Sequence, residues 1–278
     1  MLQNRDPAED PNHPVDTGSW EHRQWRWLPL DDGVTLRYTV AGDPSGAPVL
    51  LAHALGNTGA TWDRLAAALC ARGRRVIVPD QRGHGGSSQP GDYSFGALYA
   101  DLTALLDTAA PRGADLVGHS MGGHVCWLIA QRQPDRVRRL VIEDTPPPPK
   151  DTAAERALRT GRRHSANLLG VVREFGALRD SGQLDGGAVR PIIDELRYAD
   201  PGWWRALSRV TAETLVVSGG LDSPVPRALL AEVAERVPCA RLLAIDAGHY
   251  VHERRPELFD PAVLAFLTTP TPRTAPRS

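Results

Sequence analysis

Short apolar runs that alternate with helical patterns constrain this chain more than any other feature of its sequence. The runs fall at 34–40, 49–52, 76–79, 115–118, 137–142, 214–218 and 241–245. Several, such as Val49, Leu50, Leu51 and Ala52, are apolar at every position, as expected of strands covered by helices on both faces. Helical patterns between them, at 61–71 and 121–132, imply a mainly parallel α/β sheet. The stretch 25–30, turning at Asp32 and Gly33 into 34–40, reads as an antiparallel hairpin.

The rhythm stops at Pro146, Pro147, Pro148 and Pro149, which forbid a helix and force an extended exit from the preceding strand. For about 60 residues no strand pattern follows. Helical stretches at 153–178 and 188–198 flank the turn-rich segment 181–187, and Trp203 and Trp204 precede the return of the sheet pattern near Thr214. A helical insertion of this kind inside a parallel sheet points to a lid over 146–210, with the α/β core at 20–145 and 211–267. Residues 1–19 and 268–278 are polar, Pro-rich and without apolar periodicity, and are expected to be frayed.

Composition removes several classes of function. Basic and acidic side chains number 32 and 33, for a net charge of -1, so no global field exists to hold a phosphate backbone and nucleic acid is not expected as a partner. No apolar run approaches the roughly 18 residues that cross a bilayer. Cys70, Cys126 and Cys239 are odd in number, widely spaced and set in apolar runs, which suits reduced core thiols and a cytoplasmic location. No His or Asp pair recurs at ligand spacing with a third group nearby, so neither a metal nor another cofactor is expected. The remaining partner is a small-molecule substrate, bound by a monomer or homodimer.

The chemistry centres on Gly118, His119, Ser120, Met121 and Gly122, a GxSxG sequence where an apolar strand ends and a helical pattern begins. Such a nucleophile elbow holds its serine in a strained turn above the sheet, and the flanking glycines remove side chains that would collide there. A serine hydroxyl needs a base to take its proton and an acid to orient that base. Asp222 follows the run 214–218 through Gly219 and Gly220, and His249 follows 241–245 through Ala247 and Gly248. Both therefore leave the C-terminal ends of strands, where open α/β sheets bind ligands. The order Ser120, Asp222, His249 is the one expected of an α/β-hydrolase. Asp144, ending the strand after the nucleophile helix, is the alternative acid; the free backbone of Gly219 and Gly220 favours Asp222, whereas Asp144 is followed at once by Thr145 and four stiff prolines. His252 is the rival base, but no glycine precedes it.

With these motifs in place, residues 25 to 267 resemble an α/β-hydrolase of the lid-bearing esterase, lactonase and C–C hydrolase group. Residues 80–90, from Asp80 through Arg82, Gly83, Gly85 and Ser87 to Pro90, are similar to that family's DxRGxGxSxxP loop. Gly248 and His249, followed by Glu253 and Pro256, are similar to its terminal histidine segment. The resemblance implies an oxyanion hole built from the backbone N–H groups of Met121 and Leu55, the latter within His53, Ala54, Leu55 and Gly56. The family usually has His-Gly at the first two of those positions, and Ala54 departs from that pattern. The resemblance also places the acid most often where Asp222 stands.

The sequence thus predicts a serine hydrolase that forms an acyl-enzyme on Ser120 with a small ester, lactone or related acyl substrate. C–C bond hydrolysis or acyl transfer by the same triad is the alternative, since these differ in lid and pocket rather than in the triad. A silent binding protein of the same fold is the alternative from another class. The pocket is expected near His53, His119, Trp203 and Trp204, with Leu168, Leu169 and Phe175 on the lid, although helix packing accounts for the apolar residues equally well.

Overall fold

The computed structural model describes residues 20–31, 33–160 and 182–268. Eight strands form one sheet in the order β1-β2-β4-β3-β5-β6-β7-β8. They span Trp25–Pro29, Thr35–Gly42, Pro48–Ala52, Arg75–Pro79, Ala114–His119, Val137–Glu143, Glu213–Ser218 and Ala240–Ala244 for β1 to β8. β1 and β2 form the expected hairpin, β2 also runs antiparallel to β4, and the remaining pairings are parallel. Each strand expected from the apolar runs is present.

Alternation along the parallel strands divides the core into two layers. Leu50, Ile77, Leu116, Leu140 and Val216 face helices α2 (Phe95–Ala109), α3 (Ser120–Arg132) and α7 (Arg227–Arg236), through Leu98, Leu102, Val125, Ile129 and Leu230. Their neighbours Val49, Leu51, Val76, Val117, Val141 and Leu215 face α1 (Asp63–Cys70) and α9 (Pro256–Thr268), through Leu65, Leu69, Phe259 and Val263. A strand with apolar residues on both faces is stable only when both are covered, at about 25 cal/mol for each Å² removed from water. That condition explains the continuous runs in the sequence.

Between β6 and β7 the described residues hold the helices α4 (Thr152–Thr160), α5 (Gly186–Glu195) and α6 (Pro201–Ala206), followed by a short 3₁₀ turn, and an isolated β-bridge from Leu184 to His84. Asp185 and Asp200 cap α5 and α6 with side-chain oxygens on the N–H groups of Gly187 and Trp203. The anticipated helix 153–178 is described only to Thr160, and Leu168, Leu169 and Phe175 lie outside the described residues. Trp204 anchors the insertion by donating its indole N–H to the carbonyl of Pro148 at 2.7 Å. Trp203 packs on Trp127 of α3 and on Trp204, and both Trp203 and Trp204 are buried.

One smaller expectation is corrected. Cys70 and Cys126 are buried free thiols, but Cys239 is exposed, because it occupies the turn entering β8 rather than the strand. No helix among the described residues is long and apolar enough to cross a membrane.

Candidate active site

The elbow is built by close backbone contact. A Cβ added at Gly118 would lie 2.7 Å from the carbonyl oxygen of Gly122, and one at Gly122 would lie 2.5 Å from that of Ala52. Only hydrogen fits at either position, which explains the two glycines around Ser120. Ser120 itself has φ 50°, a left-handed conformation that costs a non-glycine residue about 1–3 kcal/mol and persists because the surroundings enforce it. Partly exposed at the start of α3, the serine donates its Oγ proton toward Nε2 of His249 at 3.0 Å.

His249 reaches the serine from the loop after β8. Gly248 before it has φ 74°, and the N–H groups of Ala247 and Gly248 donate to the carbonyl of Gly219 at 3.0 and 2.8 Å. On its other side the imidazole donates Nδ1–H to Oδ2 of Asp144 at 2.8 Å. Asp144 is fully buried, and its carboxylate also accepts the N–H of Gly219 at 2.8 Å and the hydroxyl of Ser223 at 2.5 Å. Three donors on one carboxylate fix the tautomer of His249 that leaves Nε2 free to accept from Ser120.

Asp222, expected to orient the base, is exposed on the surface, and Asp144 occupies that position instead. The reason is local. The Gly219–Gly220 turn does bend toward the histidine, but it presents a backbone N–H to Asp144 and leaves the Asp222 side chain directed elsewhere. Asp144 needs no flexible loop, because β6 lies beside β5 and a left-handed turn of φ 40° brings its carboxylate across. The prolines begin two residues later and do not restrict it.

The Leu55 N–H is held by its preceding peptide. The Ala54 carbonyl accepts from Nδ1–H of His53 at 2.8 Å and from the N–H of Asn57 at 3.1 Å. Because carbonyl and N–H point opposite ways across one peptide plane, these bonds fix the direction of the Leu55 N–H despite the alanine at 54. Met121 lies in the first turn of α3, where backbone donors have no intrahelical acceptor.

The loop 80–90 braces this region. Asp80 accepts from the N–H groups of Gly59 and Gly86 at 2.8 and 3.0 Å and pairs with Arg37. Arg82 forms a buried ion pair with Asp101 at 2.5 Å. His84 accepts from the Gly56 N–H at 3.1 Å, and His53 accepts from the Gln81 N–H at 2.9 Å. Both ring nitrogens of His53 are committed to backbone groups, so the imidazole braces these loops. Burial lowers the pKa of His53 and takes His84 down to about 3, so both act as neutral rings.

His119 is likewise a brace: buried beneath the elbow, it donates Nε2–H to the backbone carbonyl of His249 at 2.8 Å. Burial takes its pKa down to about 3. His252, the rival base, donates Nδ1–H to Glu143 at 2.8 Å and does not reach Ser120. His119, Glu143 and His252 bring one potential ligand atom each within 4.8 Å of one another. A cation there would have to displace the Nδ1 proton that His252 gives Glu143, so the group reads as an ion pair beside a neutral ring. Glu143 ends the strand before Asp144, but nothing local in the sequence links it to His252, more than a hundred residues away.

Residues 47–183 match the alpha/beta hydrolase fold family. The sn-1-specific diacylglycerol lipase ABHD11 of Mus musculus is 29% identical, with 89% of this chain and 88% of that protein covered. Epoxide hydrolase A of Mycobacterium tuberculosis is 38% identical over a shorter stretch, 43% of this chain and 38% of that protein. Among solved structures, a hydrolase from Pseudomonas aeruginosa PA01 superposes with a TM-score of 0.73 at 27% identity, covering 88% of this chain and 98% of that one. With its mostly parallel eight-stranded sheet, flanking helices and serine elbow, the chain belongs to the α/β-hydrolase fold superfamily and is a hydrolase.

Proposed function

We propose that the protein is a serine carboxylic-ester hydrolase that works through an acyl-enzyme on Ser120. The observation that carries this reading is the relay from Ser120 Oγ to His249 Nε2 at 3.0 Å and from His249 Nδ1 to Asp144 at 2.8 Å. His249 takes the serine proton as Oγ attacks the carbonyl carbon, and Asp144 stabilises the imidazolium that results. The N–H groups of Leu55 and Met121 receive the developing oxyanion, each contributing roughly 3 kcal/mol of transition-state stabilisation. The leaving alcohol departs with the proton from His249, and water activated by the same nitrogen then cleaves the acyl-enzyme.

The identity of the nucleophile favours acyl over epoxide substrates. Attack of a serine oxygen on an epoxide carbon would give an ether, which base-activated water does not cleave. Attack on a carbonyl gives an ester, which it does. The diacylglycerol named for the mouse relative is an ester substrate, in keeping with this choice. We assign the helices between β6 and β7 the role of a lid that selects the acyl group.

Labelling with a fluorophosphonate probe, followed by a panel of aryl esters, lactones and acyl thioesters, tests the reading. Wild-type protein should be labelled and Ser120→Ala should not. An unlabelled wild-type chain would instead favour a binding protein, and lactone turnover far above ester turnover would move the substrate class.

A further inference from the structure

Each member of the triad has a neighbour in the chain that points the other way, into the protein. His119 precedes Ser120, Glu143 precedes Asp144, and His252 lies three residues after His249. In the sheet His119 and Glu143 are register partners at the ends of β5 and β6, so the residues that follow them, Ser120 and Asp144, emerge side by side at the C-terminal ends of these strands.

The inward groups are bonded to one another's segments. Glu143 accepts the backbone N–H of His252 at 2.9 Å as well as its Nδ1–H at 2.8 Å, tying β6 to the start of α8 (Val251–Arg254). His119 ties β5 to the carbonyl of His249. His252 gives its second nitrogen to Thr61, in the turn before α1: Nε2 lies 2.7 Å from Thr61 Oγ1, and that hydroxyl spends its one proton on Glu253 at 2.6 Å. With that proton on Glu253, Nε2 of His252 donates as well, and Glu143 on the other side of the ring favours the imidazolium. Trp62 stacks on it with centroids 4.2 Å apart. Burial opposes this charge, but the Glu143 carboxylate, with Glu253 and Asp260, outweighs it and raises the pKa of His252.

We infer that His119, Glu143 and His252 are positioning residues that clamp the three segments bearing Ser120, Asp144 and His249 into catalytic register. Their chain neighbours carry out the reaction, and they set the distances at which those neighbours meet. The inference rests on the proposed Ser120 mechanism for its kinetic consequence, but its geometric content is independent of substrate. A misplacement of reacting groups by about 1 Å costs on the order of 100-fold in rate. Loss of the clamp should therefore appear in turnover and in the His249 to Asp144 bond, while substrate affinity changes little.

The test uses the full chain with two replacements. Glu143→Gln keeps the acceptor for the His252 N–H but removes the charge. The double variant Glu143→Leu with His252→Leu replaces the buried pair by apolar groups, an exchange that often preserves or raises stability. Hydrolysis of an aryl ester, thermal unfolding and the downfield proton resonance of His249 Nδ1–H, identified by its loss in His249→Gln, are measured together. We expect kcat to fall about 10- to 100-fold with KM within about threefold, and the resonance to shift or broaden, in variants whose unfolding midpoint stays near that of the wild type. Recovery of wild-type kcat by the stable double variant, with the resonance unmoved, would overturn the clamp and leave a purely structural pair. If the wild type neither labels nor turns over ester but the resonance still moves in Glu143→Gln, the ester-hydrolase reading fails and the clamp stands.

Discussion

Ser120 and Asp144 hold left-handed backbone, φ 50° and 40°, at the ends of the adjacent strands β5 and β6. Their side chains meet His249 from two sides. Asparagine tolerates that conformation better than most residues, so Asp144→Asn removes the charge and leaves the turn in place. We expect kcat on an aryl ester to fall by about 10⁴, because the amide can support the wrong imidazole tautomer. Asp222→Asn should stay within about threefold of wild type, as befits an exposed carboxylate. The opposite ranking would return the orienting role to Asp222.

Ser120→Ala should abolish fluorophosphonate labelling and lower kcat by roughly four to six orders of magnitude with unfolding little changed. Turnover near the wild-type level would remove the nucleophile from the mechanism. The paired measurement of labelling and urea unfolding separates lost chemistry from lost fold.

Gly122→Ala sets a Cβ 2.5 Å from the carbonyl oxygen of Ala52, a backbone atom that cannot swing aside. The strand end or the elbow has to move. A loss of about 1–3 kcal/mol in unfolding free energy and a slowed labelling rate are expected. Unchanged labelling at wild-type stability would contradict the close contact that explains this glycine.

Removing Asp101 takes from the buried Arg82 the carboxylate that accepts two of its N–H groups, while its bond to the Asp92 carbonyl at 3.1 Å remains. Asp101→Ala should therefore cost roughly 3–5 kcal/mol in a urea titration. A cost below about 1 kcal/mol, the range of surface ion pairs, would show that this pair is not buried in solution.

Stability should respond to acid through the buried neutral histidines. Burial lowers His53 and takes His84, His119 and His124 to about 3. Unfolded chains bind protons at these rings near pH 6.5 while the folded protein does not, so stability is present above that pH and is lost as pH falls toward 3. Each ring contributes up to roughly 1.4 kcal/mol per pH unit. His252 has the opposite sign: its raised pKa lends stability below the usual imidazole value and loses it as pH rises through the folded one. Urea midpoints between pH 7 and 5 for wild type and His124→Phe check the acid limb. The variant should lose the slope of about one proton, and an unchanged slope would show that His124 protonates as readily folded as unfolded.

What the sequence determined by itself was everything that repeats locally or is held by neighbours in the chain. Continuous apolar runs such as 49–52 required a covered strand, and Gly118 and Gly122 marked the elbow because sterics around Ser120 act over a few residues. His249 was legible from the glycine before it. The orienting acid was not, because Asp144 and Asp222 both leave strand ends and their roles depend on which carboxylate the fold turns toward a histidine more than a hundred residues from Asp144. The tertiary structure decided this through sheet order: β6 lies directly beside β5, so a single left-handed residue at its end spans the gap. The same long-range pairing gave His53 and His119 their bracing roles and joined Glu143 to His252. Hydrogen bonds of this kind leave no periodic trace in a sequence, since their partners come together only when the sheet and its loops have packed.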